Sequence, residues 1–159
     1  MRLLFIRHAI ARDTKPDAAR ALTPDGARKM ERGARGLKAC QPQLSLIATS
    51  PLTRARQTAA ILARHWKGRV EVWPELAPGA RPEALVARLA RHQAMPALAL
   101  VGHEPSLSAM VSNLVAGEAR SFVQLKKGGA CRVDFPGEVG PGQAQLRWLL
   151  TPRQLRGLG

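Results

Sequence analysis

Four side chains in this sequence are of types that can grip and attack a tetrahedral anion: Arg7 and His8 in Leu3-Leu4-Phe5-Ile6-Arg7-His8, Arg54 in Thr49-Ser50-Pro51-Leu52-Thr53-Arg54, and His103 in Leu98-Ala99-Leu100-Val101-Gly102-His103. A guanidinium is a planar fork whose N–H groups match phosphate oxygens in pairs. An unprotonated imidazole is a nucleophile. Two arginines close by disfavour the charged form of each ring, so both histidines are expected to be neutral. Arg7-His8 taken alone also fits a purely structural pair, since polar groups at a sheet edge must be solvated or partnered. The tautomer of His8 is not set by sequence.

Such residues need a scaffold that ends several strands at one edge. Apolar runs without alternation read as strands buried on both faces, and in open α/β sheets ligands bind beyond the carboxyl ends of such strands. Period and punctuation give four strand–helix pairs and then a strand-rich end. After the first strand, Thr23 caps and Pro24 opens a helix over 24–40. A strand over 44–49 leads to a helix over 51–65, with Ser50 as cap and Pro51 in the first position. Its free N–H groups and positive dipole end attract an anion, and Arg54 falls at the end of the first turn. Arg56 lies further round the helix and is expected to face solvent. A short strand over 70–73, a Pro/Gly loop, a helix over 82–92, a strand over 97–102 and a helix over 105–116 follow. Beyond Gly117 lie three short β-like pieces, over 121–125, 130–135 and 145–150. The expected fold class is α/β: a single-domain three-layer α/β/α sandwich over 1–159 with a mostly parallel central sheet.

A chain of 159 residues, 45% of them hydrophobic, can close a core without metal or disulfide staples. Too few apolar residues precede Arg7 for a secretory signal, and no stretch is long enough to span a bilayer. A cytoplasmic location with no membrane partner is expected, with Cys40 and Cys131 as reduced thiols. The formal charge of +14 makes polyanions natural partners. Against a nucleic acid stand an aromatic content of 4%, with no Tyr, and no recognisable nucleic-acid motif.

In order, Arg7-His8, Leu22-Thr23-Pro24-x-Gly26, Ser50-Pro51-Leu52-x-Arg54-Ala55-x-Gln57-Thr58, Pro74-Glu75-Leu76, Gly102-His103 and Lys127-Gly128-Gly129-Ala130 resemble the histidine phosphatase superfamily. Within this phosphoglycerate-mutase-like group the resemblance is to the small SixA-type phosphohistidine phosphatases. It implies a phosphoglycerate-mutase-like fold in which His8 attacks phosphorus and is transiently phosphorylated. Arg7, Arg54 and His103 would hold the phosphoryl oxygens, with no metal or other cofactor needed; beside them, Ser50 and Glu104 at the same strand ends are candidates for substrate binding. His65 and His92, at helix ends near basic residues, read as capping or surface histidines.

Two departures matter. Ala9 stands where many relatives have glycine after the nucleophile, a small change. Pro78 stands where acid-assisted relatives carry a proton-donating glutamate, leaving Glu75 and Glu104 as candidates for that role. An alcohol leaves with a conjugate-acid pKa of roughly 15.7, whereas imidazolium lies near pKa ~6.5 and needs far less help. The expected substrate is therefore a phosphohistidine on a protein. The alternatives are a general phosphomonoesterase acting on a small phosphorylated metabolite, and a catalytically silent module that binds phosphate or polyanions.

Overall fold

Strands buried on both faces require a helical layer on each side. The computed structural model describes residues 1–118 and 120–159. Strands β1 (Arg2–Arg7), β2 (Leu46–Thr49), β3 (Val70–Val72) and β4 (Ala97–Gly102) run parallel, and β5 (Ala130–Asp134) and β6 (Gln145–Leu150) complete one six-stranded sheet in the order β3-β2-β4-β1-β5-β6. The β1–β5 and β5–β6 pairs are antiparallel, so the sheet is mixed with a parallel core. Among the described residues five helices flank it: α1 (Pro24–Cys40), α2 (Thr53–Trp66), α3 (Pro82–Arg91), α4 (Ser106–Ala116) and α5 (Pro152–Gly157).

Alternation along β1 divides the core. Leu3 and Phe5 pack with Leu98 and Leu100 against Leu85 and Leu89 of α3 and Leu107 and Val111 of α4. Leu4 and Ile6 pack with Ala99 and Val101 on the opposite face, against Ala34 and Leu37 of α1 and Leu62 of α2. The apolar runs at 3–6 and 97–101 are thus continuous because both faces are covered. Thr23 caps α1 as expected, its hydroxyl accepting from the Gly26 N–H at 2.9 Å. Thr23 N–H also donates to the Ile10 carbonyl at 2.9 Å, and a Cβ at Gly26 would stand 2.2 Å from that oxygen. Glycine there lets the start of α1 press against the segment that follows His8.

Two local expectations are corrected, and one further helix appears. Residues 121–125 form no strand: Phe122 N–H goes to the Ser112 hydroxyl and Leu125 N–H to the Ser108 hydroxyl, so α4 side chains take the bonds a ladder would have used. Helix α2 begins at Thr53, with Leu52 in the capping position, and not at Pro51. A C-terminal helix, α5, closes the chain. Thr151 and Gln154 form a reciprocal capping box around Pro152, and Leu155 is buried against α1.

Candidate active site

The carboxyl ends of β1, β2 and β4 meet at one edge of the sheet. His8 N–H donates to the Gly102 carbonyl at 3.0 Å and Ser50 N–H to the Val101 carbonyl at 2.9 Å, so the ladder continues one residue past each strand. Arg7 N–H donates to Gly129, and Gly128 N–H reaches the carbonyls of both Arg7 and His8 at 3.0 and 3.1 Å. The end of β1 is therefore clamped between the end of β4 and the turn before β5. His8, Arg54 and His103, distant in the chain, are all buried here, at 7%, 6% and 3% exposure.

Hydrogen bonds define the His8 ring. Its Nδ1 lies 2.7 Å from the Ala9 carbonyl oxygen, which can only accept, so Nδ1 carries the proton. Nε2 is left with a lone pair, and Arg54 Nε donates to it at 3.3 Å. Ala9 N–H in turn donates to Thr58 Oγ1 at 3.1 Å, and the Thr58 hydroxyl donates to the Arg54 carbonyl at 2.7 Å. One helical turn of α2 thus fixes both the carbonyl that orients His8 and the arginine that faces it. The His103 ring stands 5.0 Å from His8, centroid to centroid, with Nε2 2.8 Å from the Ser50 hydroxyl. Arg7 Nη1 donates to the Leu125 carbonyl at 2.9 Å. Arg7 Nε and His103 Nδ1 are buried polar atoms with no protein partner, an expensive state that an anion or water can relieve.

Both imidazoles are held neutral. Burial lowers the His8 pKa to about 4, aided by the Arg54, Arg7 and Lys127 charges and opposed by the Ala9 hydrogen bond. Burial likewise takes His103 down to about 3, with His8, Arg54 and Arg7 adding to the effect and Asp17 opposing it. The expectation of neutral rings holds in direction, but desolvation and not charge repulsion is the larger cause.

Ser50 meets His103 through its hydroxyl, which also accepts from Leu52 N–H at 3.3 Å; that engagement replaces the helix-capping role expected of it. Glu104 follows His103 and has one carboxylate oxygen, Oε1, buried without a partner. Glu75 sits in a single 3-10 turn (Pro74–Leu76) and is drawn to Arg88 at 3.1 Å, an ion pair that commits its carboxylate. Arg56 is exposed. His65 binds Glu31 at 2.6 Å, and His92 closes α3 with its Nδ1 2.8 Å from the Arg88 carbonyl.

Sequence reasoning missed Asp17. Its backbone carbonyl and carboxylate receive Arg54 Nη1 and Nη2 at 2.8 and 3.1 Å, and Arg20 and Arg54 together hold its carboxyl below the usual range. It lies in a polar link with no periodicity, and a lone aspartate there carries no signal of what it will face. Among the described residues, no three His, Cys, Asp or Glu side chains gather where a metal ion could be held.

The family model for the histidine phosphatase superfamily (branch 1) matches residues 3–78, a span holding Arg7, His8, Ser50 and Arg54. An uncharacterised protein of Picosynechococcus sp. is 38% identical over 135 residues, which is 81% of this chain and 82% of that protein. Among solved structures, the protein histidine phosphatase SixA complexed with tungstate superimposes with a TM-score of 0.87 at 24% identity, over 98% of this chain and 99% of that one. The alpha-ribazole phosphatase from Shigella flexneri gives 0.81 at 21% identity, over 96% and 97%. These likenesses establish the fold as the single-domain, phosphoglycerate-mutase-like α/β fold of SixA.

Proposed function

Because the chain belongs to the histidine phosphatase superfamily, we propose that it hydrolyses phosphohistidine on another protein by way of a covalent phosphohistidine on its own His8. His8 Nε2 donates its lone pair to phosphorus, and the bond from phosphorus to the substrate imidazole breaks with the electron pair on the departing nitrogen. Water then attacks the same phosphorus, and phosphate leaves as His8 regains its lone pair. Arg7, Arg54 and His103 hold the three equatorial oxygens while charge spreads over them, and Ser50 positions His103. The reading makes residues 1–159 one catalytic domain acting in the cytoplasm, with a phosphorylated protein as partner and the arginine charge in the place of a metal.

The observation that carries this proposal is the state of His8: Nδ1–H committed to Ala9 at 2.7 Å and a bare Nε2 facing Arg54. The choice of leaving group follows from the nearby acids. Asp17 is ionised by its two arginines, and Glu75 is engaged by Arg88, so neither is suited to protonating an alkoxide. Imidazole departs without such help. Burial pushes the Cys131 thiol up to about 12, which makes it inert as a competing nucleophile.

A phosphomonoesterase acting on a small metabolite is the second reading. It is favoured by the unpartnered Glu104 Oε1 beside His103, a carboxyl that could serve as acid, and by the fold shared with an alpha-ribazole phosphatase. Substrate competition separates the two. The purified protein is expected to turn over a phosphohistidine peptide at least about tenfold faster, in kcat/KM, than p-nitrophenyl phosphate or phosphoserine, and Glu104→Gln should leave the phosphohistidine rate intact. Equal or better turnover of esters, lost in Glu104→Gln, would replace the first reading by the second.

A further inference from the structure

A second recess, of about 340 Å³, begins where the nucleophile ends. Its inner wall is Ala9 and Ile10, the two residues after His8, and its outer walls are basic: Lys29 from α1, Lys126 and Lys127 from the turn before β5, and Arg153 and Arg156 from α5. The Lys126–Gly129 turn is tied directly to the nucleophile, through Gly128 N–H on the Arg7 and His8 carbonyls, and the Lys127 charge is felt at the His8 ring. No carboxylate lines the recess. Among the described residues, only Lys29 of the five cations has an acidic partner, Asp25 at 2.6 Å. Some arginines elsewhere are neutralised, as Arg64 is by Glu31, Arg88 by Glu75 and Arg132 by Asp134, and others, such as Arg32 and Arg35, stand singly on the exposed side of a helix; what sets the recess apart is that its cations gather round one hollow.

Four unneutralised cations around one hollow repel each other, so the arrangement is relieved by an anionic occupant. The phosphoryl group is already provided for by Arg7, Arg54 and His103. The recess adjoins the catalytic residues through Ala9 and Ile10, which follow His8 directly in the chain, and its 340 Å³ is space for a ligand larger than a phosphoryl group. Its cations come from three separate elements, α1, the turn before β5 and α5, as walls round an extended acidic chain would.

We infer that this recess is a docking site for an acidic segment of the phosphorylated protein, its carboxylates meeting Lys126, Lys127, Arg153 and Arg156 while the phosphohistidine reaches His8. The inference rests on the phosphohistidine reading and adds the chemistry of the partner surface. It also gives part of the +14 charge a role that simple solubility does not.

The test uses Arg153→Glu/Arg156→Glu, with Arg32→Glu/Arg35→Glu on the exposed side of α1 as a control of equal charge change. Substrates are free phosphohistidine and two phosphohistidine peptides, one flanked by Asp and Glu, one by Asn and Gln. For the wild type and the control, kcat/KM is expected to favour the acidic peptide by about tenfold, chiefly through KM, and the preference should collapse in about 0.5 M salt. Arg153→Glu/Arg156→Glu should lose the preference while turning over free phosphohistidine as before. No preference in the wild type, its survival in that variant, or its equal loss in the control would overturn the inference. Should the wild type hydrolyse none of these substrates, the proposed function fails separately, and docking is then read from fluorescence anisotropy of the unphosphorylated peptides. Tighter binding of the acidic one, abolished by Arg153→Glu/Arg156→Glu, supports the recess; equal binding overturns it. A single-stranded oligonucleotide that outcompetes the acidic peptide through the same arginines would assign the recess to nucleic acid and also overturn it.

Discussion

At the scale of single residues, the Ala9 carbonyl and the Arg54 guanidinium divide the His8 ring between them, one taking a proton, the other facing a lone pair. The pH dependence follows with its sign. A protonated Nε2 cannot attack, and burial keeps His8 neutral down to about 4, so the acid limb of kcat/KM should fall well below the ~6.5 of a free imidazole. A profile measured with a substrate whose own ionisation is known checks this, and an acid limb near 6.5 would contradict it. Asp17 restrains Arg54 from an exposed position. In Asp17→Asn the guanidinium is freer for an oxyanion, and vanadate should bind more tightly by up to about fivefold, the worth of one exposed ion pair; isothermal titration decides, and weaker binding would show that Asp17 serves the site in another way. Arg7, His8, Arg54 and His103 were legible because each ends an apolar strand or opens the helix after one. Asp17 was not, because its partner lies across space and its link has no period.

Elements were read from period, and period fails where side chains replace ladder partners. Residues 121–125 look like a strand, but their N–H groups are met by Ser108 and Ser112 on α4, which no local pattern reveals. The missed helix α5 is the opposite case: Thr151-Pro152-x-Gln154 is a capping-box string, visible in the sequence, that marks its start. That helix is held by close approach to α1, where a Cβ at Gly36 would stand 1.8 Å from the Leu155 carbonyl oxygen. Gly36→Ala should therefore displace α5 and cost roughly 1–3 kcal/mol in denaturant unfolding, as overpacking does. An unchanged midpoint would mean that α5 shifts without loss. The long helices α1, α3 and α4 and the strands β1 and β4 needed no tertiary information, since their apolar faces and punctuation agree.

For the whole molecule, two neutral buried histidines couple folding to pH. Between about pH 6.5 and the folded values near 4 and 3, the unfolded chain binds protons that the folded chain does not. Stability must then fall as pH is lowered through that window, by up to about 1.4 kcal/mol per pH unit for each ring. The depressed carboxyls of Asp17, Glu31 and Glu71 act in the same direction at lower pH, as the hydrogen bonds they accept, from the Trp73 indole for Glu71 and from Arg and His partners for the others, are lost. Urea midpoints taken from pH 7 to pH 4.5 should fall steeply in the wild type and more gently in His103→Gln; a flat wild-type curve would contradict the neutral assignment. The mixed sheet and its layers were legible as a class, because alternating strands and helices admit few other arrangements.

Rapid quenching of the enzyme with a radiolabelled phosphohistidine donor asks whether phosphorus passes through His8 Nε2. The expected outcome is an alkali-stable, acid-labile label on His8 at Nε2, absent in His8→Ala together with turnover. Label on any other residue, or turnover retained by His8→Ala, would contradict it.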